Sequence, residues 1–364
     1  MAAITLIGPT HPYSGGIAQH TTRLALELES RGHQVVVESW KAQYPKALYR
    51  GTASVDKDHP EIGVPSQVFE KLTWYNPLTW WRAGGRMRAS EIAAFSIPTP
   101  FHAIPYLLMI LATREKTRTI GILHNVRPHE PGPFDHLLMN RLLRSLDRLI
   151  VHGHDQAELA HLVGGSSDQI MVRALPSPWL SAPTIGKRGP RESVTRLLFF
   201  GTIRAYKGLD RLLEALAHVD DVELLIAGEF WEDEQRYRKL VAELDLESRV
   251  SFRSGYVPDS EFREVFGACD VLVLPYYSGS GSIVRELAFQ FGLAVIATKV
   301  GAIAEGIEHL HTGFIIDNNS LEQLTEALRV ASSREMIERW HSNVVKRSSV
   351  SSEQWQAYCT AILK

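Results

Sequence analysis

Five residues, Ser278-Gly279-Ser280-Gly281-Ser282, lead from the apolar run DVLVLP into a helical pattern that opens on IVRELAFQ. Glycines let successive N–H groups turn toward one point, and a helix N-terminus adds positive partial charge, so the loop reads as an anion cradle. An ordinary flexible connection fits the same composition. Glu286 narrows the choice. With Ser282 as N-cap, the reciprocal capping position three residues on belongs to Arg285, so Glu286 stands outside a capping box. It either favours the helix dipole from the first turn or serves a ligand. A carboxylate beside a phosphate is repelled unless something lies between them, and a ribose diol fits, with two hydroxyl donors for two carboxylate oxygens. The combination suggests a nucleotide.

A second cradle candidate is GTIRAYKGLDRLLEAL, residues 201 to 216, where Arg204 and Lys207 occupy the loop between a strand and a helix. Their charges suit a diphosphate leaving group as its sugar bond breaks; solvated loop cations are the plainer account. In PTHPYSGGIAQH, Gly15-Gly16 at a helix start offers N–H groups to a phosphate or a sugar, or simply makes a tight turn. His124 ends an apolar strand in GILHNVRPHE, a position that projects its side chain past the sheet edge, although a satisfied core histidine is the common alternative. No metal is expected: the lone Asp-x-Asp, Asp56-Lys57-Asp58, has no strand before it and reads as chance. The glycine turn GPTHPYSGG lacks the G-x-G-x-x-G spacing of a nicotinamide dinucleotide site.

Strand and helix patterns alternate around these residues. The first series runs from a strand at 4–8 and a helix at 17–30 to a strand at 169–174, and the second from RLLFFG at 196–201 to a helix at 320–332. Between them, PSPWLSAPTIGKRGPRES is rich in Pro, Ser and Gly and reads as a linker. The expected division is an N-terminal α/β domain at 1–176, a linker at 177–194, a C-terminal α/β domain at 195–335, and a helical tail at 336–364 that could cross back to the first domain. Two doubly wound domains on one linker place a ligand cleft between their strand ends.

With 364 residues, 45% hydrophobic and 22% charged, the chain is long enough for two cores. A net charge of −2 gives no whole-molecule field for nucleic acid. The two cysteines, Cys269 and Cys359, match neither a zinc site nor a disulfide scaffold, so a reducing cytoplasm is expected. The first residues read as a strand rather than a signal sequence, and IPYLLMILA is about half the roughly 20 residues of a spanning helix. Residues 69–88 mix Trp74, Tyr75, Trp80 and Trp81 with Arg82, Arg86 and Arg88. The mixture suits peripheral contact with anionic membrane or a lipid-linked acceptor, and equally a helix packed by its tryptophans.

Taken together, GGIAQH, HNVRPHE, GTIRAYKG and VRELAFQFGLAVIATKVGAIAEGI resemble glycosyltransferase family 4, the retaining sugar-nucleotide enzymes of GT-B architecture. The resemblance runs through nearly the whole chain, strongest at 199–316 and weakest at 40–90. It implies two Rossmann-like doubly wound domains facing each other across a cleft, and a metal-independent, cofactor-free hexosyltransferase. A nucleoside diphosphate sugar would be the donor, and a hydroxyl of a glycan, lipid-linked saccharide or small molecule the acceptor. It further implies that Glu286 holds the ribose, that Arg204 and Lys207 hold the diphosphate and act with His124 in catalysis, and that Gly15, Gly16 and the 278–282 loop complete the donor site. His129 and Glu130 would position the acceptor. Family members carry two glutamates separated by seven residues, the second matching Glu286; the slot for the first is Ser278, which is not acidic. A sugar-nucleotide binder assisting another transferase is the alternative reading.

Overall fold

The computed structural model describes residues 1–13, 15–45, 63–113, 116–126, 134–177, 194–279, 282–317, 320–347 and 351–364. Their backbone forms two compact units, Met1–Trp179 with Ser351–Lys364, and Leu180–Val350.

The first unit contains a seven-stranded sheet of order β3-β2-β1-β4-β5-β6-β7, formed by β1 (Ala3–Ile7), β2 (Gln34–Ala42), β3 (Val68–Thr73), β4 (Ile92–Ile97), β5 (Arg118–Leu123), β6 (Arg148–Val151) and β7 (Ile170–Val172). Every pairing is parallel. Central strands of such a sheet are covered on both faces and read as unbroken apolar runs. All six residues of β4, IAAFSI, are accordingly buried. Helices α1 (Gly16–Ser30), α2 (Pro77–Met87), α3 (Ala103–Ala112), α4 (Asp135–Arg144) and α5 (His154–Val163) complete the alternation.

The second unit repeats the plan with six parallel strands, in the order β10-β9-β8-β11-β12-β13. These are β8 (Thr195–Phe200), β9 (Val222–Gly228), β10 (Val250–Ser254), β11 (Val271–Leu274), β12 (Ala294–Thr298) and β13 (Gly313–Ile316). Its helices are α6 (Leu209–Leu216), α7 (Glu234–Glu243), α8 (Phe262–Gly267), α9 (Ile283–Gln290), α10 (Leu321–Ser332) and α11 (Arg334–Arg347). The core gathers Leu197, Phe199, Leu212, Ile226, Val273, Ile296 and Trp340.

The tail is divided between the units. Trp340 of α11 is fully buried in the second core, whereas α12 (Ser351–Leu363) adds Trp355, Tyr358, Cys359 and Ile362 to a core of the first. The indole of Trp355 donates to Ser177 O at 2.7 Å, and Arg118 binds the last carbonyls of α12, that of Leu363 at 2.6 Å.

In each sheet the strand order reverses once, between β1 and β4 and between β8 and β11. Open α/β sheets bind ligands outside the carboxyl ends of the strands at this reversal.

Candidate functional site

In the second unit, both candidate loops lie at the reversal point, one after β8 and one after β11. They are stitched together. Tyr277 N donates to Tyr206 O at 2.7 Å, Arg211 Nη2 donates to Pro275 O at 2.6 Å, and the rings of Tyr206 and Tyr276 meet edge to face. Gly208 makes this approach feasible. Its backbone is left-handed at φ 69°, and a Cβ there would stand 2.2 Å from Pro275 O. Only glycine fits both demands.

Lys207 ends the one-turn helix Ala205–Lys207 and is 7% exposed. Its ammonium lies 5.6 Å from the Tyr276 ring centre and 3.4 Å from where a side chain on Gly201 would begin. Burial, and secondarily the positive Arg204, push the Lys207 pKa down to about 7. The Arg204 guanidinium stacks on Trp231 at 4.5 Å, which fixes a planar cation that would otherwise wander. Two cations held this close repel each other, and an anion between them relieves both.

Helix α9 begins beside the same loop, since Val284 lies within 4.0 Å of that Gly201 position. Ser282 is its N-cap residue but makes no capping hydrogen bond; Tyr276 engages its hydroxyl instead. Among the described residues the first N–H groups of α9 therefore have no side-chain cap. Glu286, half-buried, is bound through Oε1 by Arg285 at 2.8 and 3.0 Å. Ser278 is exposed, and Gly279 packs near Ile303. Ser280 and Gly281 lie outside the described residues.

In the first unit, Gly15 caps α1 with φ 97° and Gly16 opens the helix, again with no side-chain cap among the described residues. His124 follows β5, half-buried, with Nε2 paired to Ser96 Oγ at 3.0 Å. Burial, then the neighbouring His152 and His20, hold it well below the usual histidine range, so its ring is neutral. His129, Glu130 and Asp56-Lys57-Asp58 lie outside the described residues. No group of three His, Cys, Asp or Glu among the described residues is placed to hold a metal.

The aromatic and basic residues of 69–88 take different roles. Trp80 is buried and donates to Thr73 O at 2.7 Å, and Arg86 grips the buried Glu38 in a bidentate pair at 2.5 and 2.6 Å. Tyr75, Leu78 and Trp81 are more than half exposed, and Arg82 is exposed beside them. Among the described residues no helix is long and apolar enough to cross a membrane.

Sequence reasoning noted Arg285 only at the reciprocal capping position and passed over Arg211, Trp231 and Tyr276. The available signal was an Arg directly before Glu286 and aromatics beside each turn.

Comparison with known proteins adds three findings. Residues 14–172 match the model described as Glycosyltransferase Family 4, and 184–347 match Glycosyl transferases group 1. The chain is 31% identical over 334 residues to the lipopolysaccharide glucosyltransferase WaaG of Escherichia coli, covering 87% of this chain and 86% of that protein. It is 29% identical over 202 residues to a D-inositol 3-phosphate glycosyltransferase of Pseudarthrobacter chlorophenolicus, covering 52% of this chain and 48%, about half, of that relative's length. Among solved structures, Anabaena HepE in complex with UDP and glucose superposes with a TM-score of 0.71 at 17% identity, covering 100% of this chain and 97% of that one. With two parallel α/β units of GT-B type and a relative matched along most of its length, the chain belongs to glycosyltransferase family 4.

Proposed function

We propose that this glycosyltransferase moves a hexose from a nucleoside diphosphate sugar to a hydroxyl of a glycan, lipid-linked saccharide or small molecule, with retention of configuration and without a metal ion. The observation that carries the reading is the stitched pair of loops at the β8/β11 reversal, where a buried lysine and a stacked arginine adjoin the uncapped start of α9. HepE was solved with UDP and glucose, which supports a uridine donor as the first to try. In this reading the diphosphate lies against Lys207, Arg204 and the α9 N-terminus, and the ribose against Glu286. Gly279 with Ser278, Ser280, Gly281 and Ser282 would shape the loop around the phosphates. Gly15 and Gly16 would give N–H groups to the donor, and His124 would lie beside its sugar.

As the bond between anomeric carbon and phosphate oxygen breaks, the electron pair goes to the diphosphate, where the two cations stabilise it. The acceptor oxygen attacks from the same face, and the departing phosphate takes its proton. The cations do the work a divalent ion would otherwise do, so activity should survive chelation by EDTA. Incubation with UDP-glucose and its relatives, with the product anomer read by proton NMR, tests the mechanism: an inverted product would overturn it.

Ser278 favours a second reading, a sugar-nucleotide binder that assists another transferase, because it brings no charge where the family places a glutamate. Sugar release from the donor without acceptor separates the two, since tight binding with no release across several donors would leave only the binder. Exposed Tyr75, Leu78, Trp81 and Arg82 support peripheral contact with anionic membrane, tested by co-sedimentation with anionic against neutral vesicles.

A further inference from the structure

Neighbours one position apart on a helix point about 100° away from each other and do not ordinarily meet. Arg285 and Glu286 do. Nε and Nη2 of Arg285 both donate to Oε1 of Glu286, at 3.0 and 2.8 Å, while Nη1 donates to the carbonyls of Ala302 at 2.5 Å and Ile303 at 3.1 Å. The two side chains are 9% and 13% exposed. Four hydrogen bonds fix the guanidinium between α9 and the segment that follows β12. Oε1 has both lone pairs filled, and among the described residues Oε2 has no partner. A buried ion pair contributes little net stability against an apolar residue of similar volume, because both charges lose their water. What this one supplies is orientation.

We propose that Arg285 is a positioning residue that splints the Glu286 carboxylate to the Ala302-Ile303 backbone and presents Oε2 alone to the ribose of the nucleoside diphosphate. The inference rests on Glu286 holding the ribose. A carboxylate fixed in advance binds without first losing side-chain freedom, and its bond to a hydroxyl is charge-assisted. Replacing Arg285 frees the carboxylate to turn and lets water compete for both oxygens. The ribose preference falls while the chemistry at the sugar is untouched.

The experiment compares binding of UDP with 2′,3′-dideoxyuridine diphosphate, with guanosine and adenosine pairs substituted if the protein prefers those bases. The native protein should favour the ribose form by tenfold or more, on the order of one charge-assisted hydrogen bond. Glu286→Ala should bring the ratio close to one. Arg285→Leu should lower it by about fivefold or more and raise the donor KM in step, with kcat at saturating donor within about threefold of native. Arg285→Lys keeps the charge but not the fork, so its ratio should fall between those of Leu and the native protein; it also serves if the Leu variant does not fold. Native ratios in both Arg285 variants, together with a collapsed ratio in Glu286→Ala, would overturn the positioning role. An unchanged ratio in Glu286→Ala would instead overturn the ribose assignment itself. Melting temperature without nucleotide is the control, since a merely structural arginine would lower it and leave the ratio alone.

Discussion

Lys207 is the residue whose chemistry is most constrained by its surroundings. Its pKa, pushed down to about 7 by burial and by Arg204, lets the ligand-free protein lose the ammonium charge near neutral pH. If a diphosphate lies against Lys207 as proposed, it restores the charge and binding takes up a proton. Affinity should be highest where Lys207 is already charged and should fall as pH rises through about 7, approaching tenfold per pH unit until the bound-state pKa is passed. Titration of UDP by calorimetry between about pH 7.5 and 9 avoids protonation of the terminal phosphate, whose second pKa is about 6. Lys207→Arg should flatten the slope, and an equal slope in that variant would remove Lys207 as its source. Gly208→Ala probes the loop that holds it. The added Cβ meets Pro275 O in a left-handed backbone, so donor use should be lost with at least about 2 kcal/mol of stability, measured by denaturant unfolding. At this scale the sequence was a good guide to which residues stand on the reversal-point loops, because an apolar run that gives way to glycines marks the end of a strand and the turn after it. It could not reveal that Arg285 turns back on its neighbour, or that Trp231 from the β9 end fixes Arg204. Those contacts join segments distant in sequence or defy helical spacing.

Among the elements, α12 sits on an unusual seat. His20 of α1 is 1% exposed, and it stacks on Trp355 at 5.5 Å, meets Tyr358 edge to face at 5.1 Å, and neighbours His124 and His152 at 5.4 and 6.1 Å. Among the described residues neither of its ring nitrogens has a hydrogen-bond partner. Burial holds all three histidines below the usual range, His152 at about 4. The folded unit keeps them neutral, while the unfolded chain protonates them below about 6.5. The stability is therefore present above that pH and lost as pH falls toward the folded values, by up to about 1.4 kcal/mol per pH unit for each histidine. Thermal unfolding of the first unit followed from pH 7.5 to 5 should show the loss. His20→Leu removes no hydrogen bond among the described residues, so it should be close to neutral at pH 7.5; since buried His102 is held down as well, to about 3, four histidines share the effect and the pH dependence should become shallower by about a quarter. A steep loss of stability at pH 7.5 would mean that a polar contact of His20 matters. The alternation of strands and helices was readable because parallel strands are apolar throughout. Strand β3 was not, since it lies at the sheet edge with Glu70 and Lys71 exposed and pairs with β2 through shifts in register. Its companion α2 announces itself by Asn76, which accepts from Leu78 N at 3.1 Å, and by Pro77 in the first turn. The helix packed by its tryptophans, one of the two readings of that segment, is this α2, in which Trp80 is buried.

At the scale of the molecule, two units with separate cores need not unfold together, and a single free energy of unfolding does not describe them. The division between them falls at two points in the chain, Trp179/Leu180 and Val350/Ser351, so that α11 belongs to one core and α12 to the other. The tail was expected to cross back to the first domain; where along it the crossing falls was not legible, because a helix-prone tail carries no mark of which core each helix joins. If the nucleotide is held chiefly by the loops after β8 and β11, it stabilises the second unit and leaves the first nearly unchanged. At a UDP concentration of about 100 times Kd the gain is about 2.7 kcal/mol, which slows hydrogen exchange through unfolding of that unit about a hundredfold. Amides of β8, β11 and β12 should show that protection, and those of β1, β4 and β5 should exchange at their nucleotide-free rates. Equal protection in both sheets would mean that Gly15, Gly16 and the rest of the first unit supply a comparable share of the donor's binding energy. In that case truncating Glu286 should cost far less affinity than the loss of a charge-assisted bond would predict.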